Sequence, residues 1–476
     1  MHSFTFPTSG KTRMEHDLLG DKEVPVEALF GVQTLRGIEN FQISTSLLSH
    51  YPAFIQGLGY IKMGAALANH EVGLLPAPIK DAIVEACQEL IDGKHREHFP
   101  LDMIQGGAGT SVNMNANEVI ANRALEIMGK EHGEYTYCHP NDHVNMAQST
   151  NDAYPSAIHL AFYITHQKVM RSLADLIASF EEKAVDFAPI IKMGRTQLQD
   201  AVPMTLGQTF GAFASALKNE IKNLDMAAEH FLALNMGATA IGTGITAEPG
   251  YAEACAKHLR KITGWDIVLA TDLVEATHDT SCLYGYSSAL KALAIKTSKI
   301  CNDLRLLSSG PRTGIAEINL PPKQPGSSIM PGKVNPVIPE VMNQICFRVI
   351  GNDLTITMAG EAAQLELNVM EPVMVHSLFE SCHWLSNGFN TLRVECIEGI
   401  SANSDHCRYL AEHSIGIVTA LKPFIGYANC TEIAKEALET GGSVYQLVLE
   451  KKLLTKEQLD KILDPQHMIR PVKISV

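Results

Sequence analysis

Nine apolar residues between positions 206 and 234 constrain the fold of this chain more than anything else in it. Leu206, Phe210, Phe213, Leu217, Ile221, Leu224, Ala228, Phe231 and Leu234 follow one another at steps of 4, 3, 4, 4, 3, 4, 3 and 3. The mean step of 3.5 is the period of helices packed along one another, sustained for about four heptads. At 1.5 Å per residue such a helix reaches roughly 40 Å, too long to hide inside a small domain. It has to run beside other long helices.

Similar helical patterns cover residues 155–190, 285–308, 338–360 and 374–400, and Ser308-Ser309-Gly310-Pro311 stops the second of them as a Gly–Pro end should. Shorter ones cover 54–73, 78–90 and 115–128, while period-2 alternation is scarce. The expected fold is mainly α. A chain of 476 residues has room for two or three domains. Residues 1–145 are expected to form an N-terminal helical domain, 146–400 a central bundle of long helices, and 401–476 a small helical C-terminal domain. In the last of these a helix is expected over 444–450, and Thr455 with Gln458 reads as a capping box opening another. The first 20 residues carry no periodicity and read as a tail.

Composition narrows the function. Net charge is −14 and no Lys/Arg-rich run offsets it, which argues against a nucleic-acid partner. No run of about 18 apolar residues is present, so no membrane helix is expected. Ten cysteines lie far apart without zinc spacing, and no secretory leader is expected, so the thiols read as reduced and the protein as cytoplasmic. No dinucleotide fingerprint, phosphate-binding loop or pyridoxal-type context points to a cofactor.

Four polar islands break the helical pattern: residues 106–115 (GGAGTSVNMN), 139–152 (HPNDHVNMAQSTND), 194–203 (GRTQLQDAVP) and 326–336 (GSSIMPGKVNP). Singly each reads as punctuation, since glycines turn corners and Ser, Thr and Asn cap helices. Together they supply what a dicarboxylate pocket needs, many N–H and O–H donors and few competing negative charges. The fourth island adds a chemical possibility. A proton beside a carboxylate is very weakly acidic, and removing it builds a doubly charged aci-carboxylate that preorganised donors must stabilise. Lys333 offers a fixed cation, Asn335 a donor, and Gly326 and Gly332 close backbone approach. Ser327 could serve as base only in a field that lowers its pKa strongly. The Pro/Gly punctuation fits a lid that hinges over substrate.

GSSIMPGKVNP is similar, residue for residue, to the signature loop of the fumarase/aspartase superfamily, and the resemblance runs from Asp17-Leu-Leu-Gly to the C-terminal region. It implies three mainly α-helical domains and a homotetramer with a shared helical core and active sites built from several subunits. It further implies that Ser327 is the general base and that Lys333 and Asn335 bind a substrate carboxylate. Thr110, Ser149, Thr150, Asn151 and Thr196 would hold the carboxylates and amino group, and Met330 would lend its backbone N–H. Gln197 separates two branches. Fumarate hydratases carry histidine in GRTHLQDA, where this chain reads GRTQLQDA. Hydroxide needs an acid to leave, whereas an ammonium group already carries its proton, so a neutral amide suffices. Gln197 therefore favours reversible anti elimination of ammonia from L-aspartate to fumarate. The test runs one way, since some aspartases also carry histidine there. Dehydration of malate by a fumarate hydratase is the alternative, followed by a catalytically inactive relative that keeps only the scaffold.

Ser149-Thr150-Asn151-Asp152 and GRTQLQDAVPMTLGQ point to the same branch. His139-Pro140-Asn141-Asp142-His143 departs from it and resembles the fumarase form, where His, Asn and Asp make a secondary anion site. Pro140 argues against a helix that would bring His139 and His143 onto a metal. No metal site is expected. No cofactor is required, and the resemblance implies modulation by a divalent cation such as magnesium, for which the sequence offers no ligand set.

Overall fold

The computed structural model describes residue 6, residues 8–469 and residue 473. Helices dominate, and the sheets among the described residues are two-stranded ribbons. The chain opens on a hairpin of β1 (Thr12–Asp17) and β2 (Gly20–Pro25). Helices α1 (Val32–Asn40), α2 (Pro52–Glu71), α3 (Ala77–Ile91), α4 (Thr110–Ile127) and α5 (Thr150–Asp186) follow. A second hairpin, β3 (Ile191–Thr196) and β4 (Gln199–Thr205), leads into α6 (Leu206–Glu229). Strands β5 (Ala233–Leu234) and β6 (Val268–Leu269) pair in parallel around α7 (Tyr251–Thr263). Next come α8 (Glu275–His278), α9 (Ser281–Leu307), β7 (Ile318–Asn319), α10 (Val337–Glu361) and α11 (Glu371–Glu395). Strand β8 (Ser401–Ala402) pairs with β7, and α12 (Ser404–His413), α13 (Val418–Thr440), α14 (Val444–Glu450), α15 (Lys456–Ile462) and α16 (Pro465–Met468) complete the order.

Two compact units result. One holds Met1–Met170, Glu220–Ala294 and Phe347–Leu385, the other Arg171–Asn219, Ile295–Cys346 and Ser386–Val476. Each contains a length of all five long helices, α5, α6, α9, α10 and α11. In the first unit α2 packs on α3 and α7. Its centre is aromatic: Phe379 lies 5.9 Å from Phe54 and 4.4 Å from Phe162, and Phe231 lies 5.7 Å from Phe162 and 5.3 Å from Tyr286. In the second unit Phe180, Phe187 and Phe213 surround Phe210. A separate core there gathers Met193 of β3 with Leu421, Ile433, Val448 and Leu459.

The mainly α expectation holds, with α9 ending at Leu307 just before the Gly–Pro stop and α14 and the Thr455 capping box where they were expected. Three local readings change. Residues 12–25 form a hairpin, because the Arg13 guanidinium donates to the carbonyls of Pro25, Ala28 and Phe30, each at 2.8 Å, and pairs with Glu15. The heptad outruns its helix: Phe231 sits in a 3-10 turn and Leu234 in β5, both buried. Periodicity here counts core positions rather than helical ones. Finally, α5 starts at Thr150 rather than at the expected 155, which puts Pro155 inside it, where it cannot donate to the Asn151 carbonyl four residues back. Asn235 Nδ2 donates to that carbonyl at 2.9 Å and restores the lost bond.

Among the described residues no helix is long and apolar enough to cross a membrane. All ten cysteines are free thiols, nine of them buried and Cys282 half-buried.

Candidate active site

The ten candidate residues divide between the two units. Thr110, Ser149, Thr150 and Asn151 belong to the first, and Thr196, Gln197, Ser327, Met330, Lys333 and Asn335 to the second.

In the first unit two islands become helix N-termini. Gly109, with φ of 84°, turns the chain into α4, and a side chain there would run into the Tyr154 ring at 2.5 Å. Thr110 follows it, exposed, its hydroxyl donating to the Gly107 carbonyl at 2.9 Å. At the start of α5 the capping reading is correct for Asp152. Its buried carboxylate accepts the N–H groups of Ser149, Gly237 and Thr239 at 2.9, 3.2 and 3.0 Å. The neighbouring hydroxyls act as acceptors locally: Ser149 Oγ takes the Asn151 N–H at 3.2 Å and Thr150 Oγ1 takes Asn113 Nδ2 at 3.2 Å. Each keeps its own proton for another acceptor.

Beneath them lies a residue that the sequence reading missed. Lys62 of α2 is fully buried, and its ammonium donates to Asn113 Oδ1 at 2.6 Å, Gln148 Oε1 at 2.9 Å and Asn145 Oδ1 at 3.0 Å, using all three protons. Burial pulls its pKa down to about 7, and burial pushes that of Asp152 up to about 7. Lys62 thus lies behind the Asn113–Thr150 bond and sets the donors of both islands in one network. The available signal was one lysine between Ile61 and Met63 in a mostly apolar helix.

In the second unit Thr196 closes β3 and Gln197 opens the two-residue turn to β4. Both are exposed, and neither side chain has a hydrogen-bond partner among the described residues. The fourth island is an ordered loop before α10. Gly326 N–H donates to the Lys333 carbonyl at 2.6 Å and Asn335 Nδ2 to the Gly326 carbonyl at 2.9 Å, closing it. A Cβ at Gly326 would stand 2.8 Å from that Lys333 oxygen, so only glycine fits. Inside the loop Ser327 Oγ accepts the N–H groups of Ile329 at 3.1 Å and Met330 at 3.0 Å. Two donors on one hydroxyl oxygen favour its anion. The Met330 N–H is therefore directed at Ser327, and Asn335 keeps one amide proton free. Lys333 is exposed, with no ion-pair partner among the described residues.

Two further clusters bear on metal binding. Pro140–Val144 does form one helical turn, with proline tolerated at its first position. However, His143 Nδ1 accepts the His139 N–H at 2.8 Å, and His139 Nδ1 accepts those of Asn141 and Asp142 at 3.1 Å, so the rings serve the backbone. His95, Glu97 and His98 bring ligand atoms within 4.8 Å of one another. His98 Nδ1 accepts the Leu29 N–H at 3.1 Å, which leaves the proton on Nε2, and burial holds its pKa down at about 4. A ring nitrogen that carries its proton offers no lone pair to a metal.

With this geometry in place, comparison with known proteins is decisive. A family model described as Lyase matches residues 20–351, and one described as Fumarase C C-terminus matches residues 417–470. This chain belongs to the fumarase/aspartase superfamily. Among its relatives, an aspartate ammonia-lyase of Pseudomonas aeruginosa is 57% identical over 97% of both chains, and one of Escherichia coli is 54% identical, again over 97% of each. A solved structure described as fumarate lyase:delta crystallin from Brucella melitensis, bound to cobalt, is 51% identical. It superposes with a TM-score of 0.94, covering 97% of this chain and 100% of that one. The class II fumarase of Schistosoma mansoni gives a TM-score of 0.91 at 34% identity, with 97% and 100% covered.

Proposed function

We infer that the chain is a carbon–nitrogen lyase that eliminates ammonia reversibly from L-aspartate to give fumarate. Relatives named for that reaction at 54–57% identity support the substrate. The observation that carries the mechanism is the pair of backbone N–H groups on Ser327 Oγ. As alkoxide, Ser327 takes the C3 proton, and charge moves onto the adjacent carboxylate as an aci-carboxylate. Lys333 and the free amide proton of Asn335 stabilise that doubly charged group, a service worth about 3–4 kcal/mol for each well-placed donor. The C2 ammonium then leaves from the opposite face as ammonia, past the neutral amide of Gln197. Thr110, Ser149, Thr150, Asn151 and Thr196 hold the carboxylates and amino group with hydroxyl and amide donors. Met330 contributes through its N–H on the base.

The working enzyme in this reading is a cytoplasmic homotetramer of three-domain subunits, 1–145, 146–400 and 401–476, with active sites shared between subunits. Support comes from an apolar row on α10. Phe347, Leu354 and Met358 are 61%, 63% and 65% exposed at heptad-like spacing, as on a helix that packs against another copy. Two cavities of the second unit, about 590 and 610 Å³, include none of the ten candidate residues, and a third of only about 10 Å³ includes Asn335 alone of them, which fits a site completed by other subunits. No cofactor is required, and a divalent cation such as magnesium acts as modulator only. The free thiols fit a reducing compartment.

The deciding experiment adds L-aspartate and, separately, L-malate to purified protein and follows fumarate by its ultraviolet absorbance. Fumarate from aspartate alone supports the ammonia-lyase. Fumarate from malate alone makes this a hydratase. Silence from both defeats the ammonia-lyase reading and leaves a lyase of a larger succinyl substrate or a scaffold without the reaction.

A further inference from the structure

The turn that presents Gln197 is one its own residues disfavour. Gln197 and Leu198 have φ of 54° and 62°. A two-residue hairpin loop with both φ positive is the type I′ pattern, normally filled by Asn-Gly. Neither a glutamine nor a leucine settles there unaided, so the surroundings must impose the conformation.

The constraint comes from a buried carboxylate. Glu317, fully buried, lies 2.8 Å from Lys192 Nζ through Oε2 and accepts Arg195 Nη1 at 2.6 Å through Oε1. Residues 192 and 195 are three apart in β3, and in a regular strand they would point to opposite faces. The ladder shifts register between Met193 and Arg195, and this bulge turns both cations to one side, where a single carboxylate meets both. Glu317 is itself held: its N–H donates to the Leu307 carbonyl at 2.9 Å, and its carbonyl accepts the Asn403 N–H at 2.9 Å. The other leg of the hairpin is tied as well, since Ser414 Oγ donates to Asp200 Oδ2 at 2.7 Å. Glu317 also begins the segment that runs through β7 to Gly326, so one residue ties the turn at Gln197 to the approach of the Ser327 loop.

We propose that Glu317 is a positioning residue for the elimination, which through Lys192 and Arg195 holds the Thr196–Leu198 turn in its disfavoured conformation and so aims Thr196 and Gln197 at the substrate. This deepens the ammonia-lyase reading and rests on it. The test is Glu317→Gln assayed on L-aspartate beside the wild-type enzyme. Its kcat/KM falls at least tenfold, chiefly through a raised KM, while oligomer size is unchanged. Hydrogen exchange speeds up in residues 193–203. Adding Leu198→Gly, which lets the second turn position adopt positive φ freely, recovers most of the loss. A merely structural role would not respond to that second change.

Unchanged kinetics and unchanged exchange in a folded Glu317→Gln overturn the proposal, and so does a loss that Leu198→Gly fails to recover. Should Glu317→Gln not fold, Arg195→Gln removes only the arm nearest the turn and carries the same expectations. A wild-type enzyme inert toward aspartate defeats the functional reading instead, and the exchange comparison still decides the role of Glu317.

Discussion

Replacing Ser327 with alanine removes the atom on which two backbone N–H groups converge and leaves the loop closure through Gly326, Lys333 and Asn335 in place. We expect Ser327→Ala to keep its fold and oligomeric state and to lose about 10³-fold in kcat, within the usual range for a general base. A folded Ser327→Ala enzyme with wild-type turnover would remove the assignment. A second residue reports on burial. Glu371 opens α11 only 6% exposed, and burial pushes its pKa up to about 8. The folded state therefore binds a proton that the unfolded chain has released between about pH 4.5 and 8. Stability from this group is full below that window and is lost as pH rises through it, by at most about 1.4 kcal/mol per pH unit. The neighbouring Tyr154 and Cys282 have pKa values driven upward by burial and keep their protons throughout. Thermal unfolding at pH 5.5 and 8 should show a smaller drop for Glu371→Gln than for the wild type. At this scale the polar loop at 326–336 was legible in the sequence, because its donors and acceptors lie within ten residues of each other. Lys62 was not, since its partners Asn113 and Gln148 are 51 and 86 residues away.

Single elements show the same division. Helix α1 starts at Gly31 without a capping side chain of its own. Its first turn is satisfied by Glu118 of α4, whose carboxylate accepts the N–H groups of Gly31, Gln33 and Thr34 at 2.8, 2.8 and 3.1 Å and the Thr34 hydroxyl at 2.6 Å. Glu118→Ala strands these buried donors and should cost about 3 kcal/mol or more, read as a lowered unfolding midpoint. An unchanged midpoint would mean that water or a rearranged α1 takes over the cap. The long helices α9, α10 and α11 were readable from spacing alone, because an amphipathic helix writes its buried face into the chain every three or four residues. The β1–β2 hairpin was not, because the Arg13 contacts that order it follow no period. Pro155 lies inside α5 and is tolerated because Asn235 replaces the missing bond.

For the whole molecule, the exposed row Phe347, Leu354 and Met358 makes assembly testable. Leu354→Asp places a charge in the middle of that row and should shift the particle to a smaller mass by light scattering, with activity falling in step. Undiminished mass and activity would locate the contact elsewhere. What the sequence by itself determined is the mainly helical architecture and the positions of the four polar islands. Each depends on residues close together in the chain. Only the tertiary structure decided which charges are buried and what they hold: Lys62 behind the Thr150 network, Glu118 on α1, and Glu317 on the Gln197 turn. Glu317 and Arg195 are separated by 122 residues, and a buried charge is stable only where folding brings it such a partner.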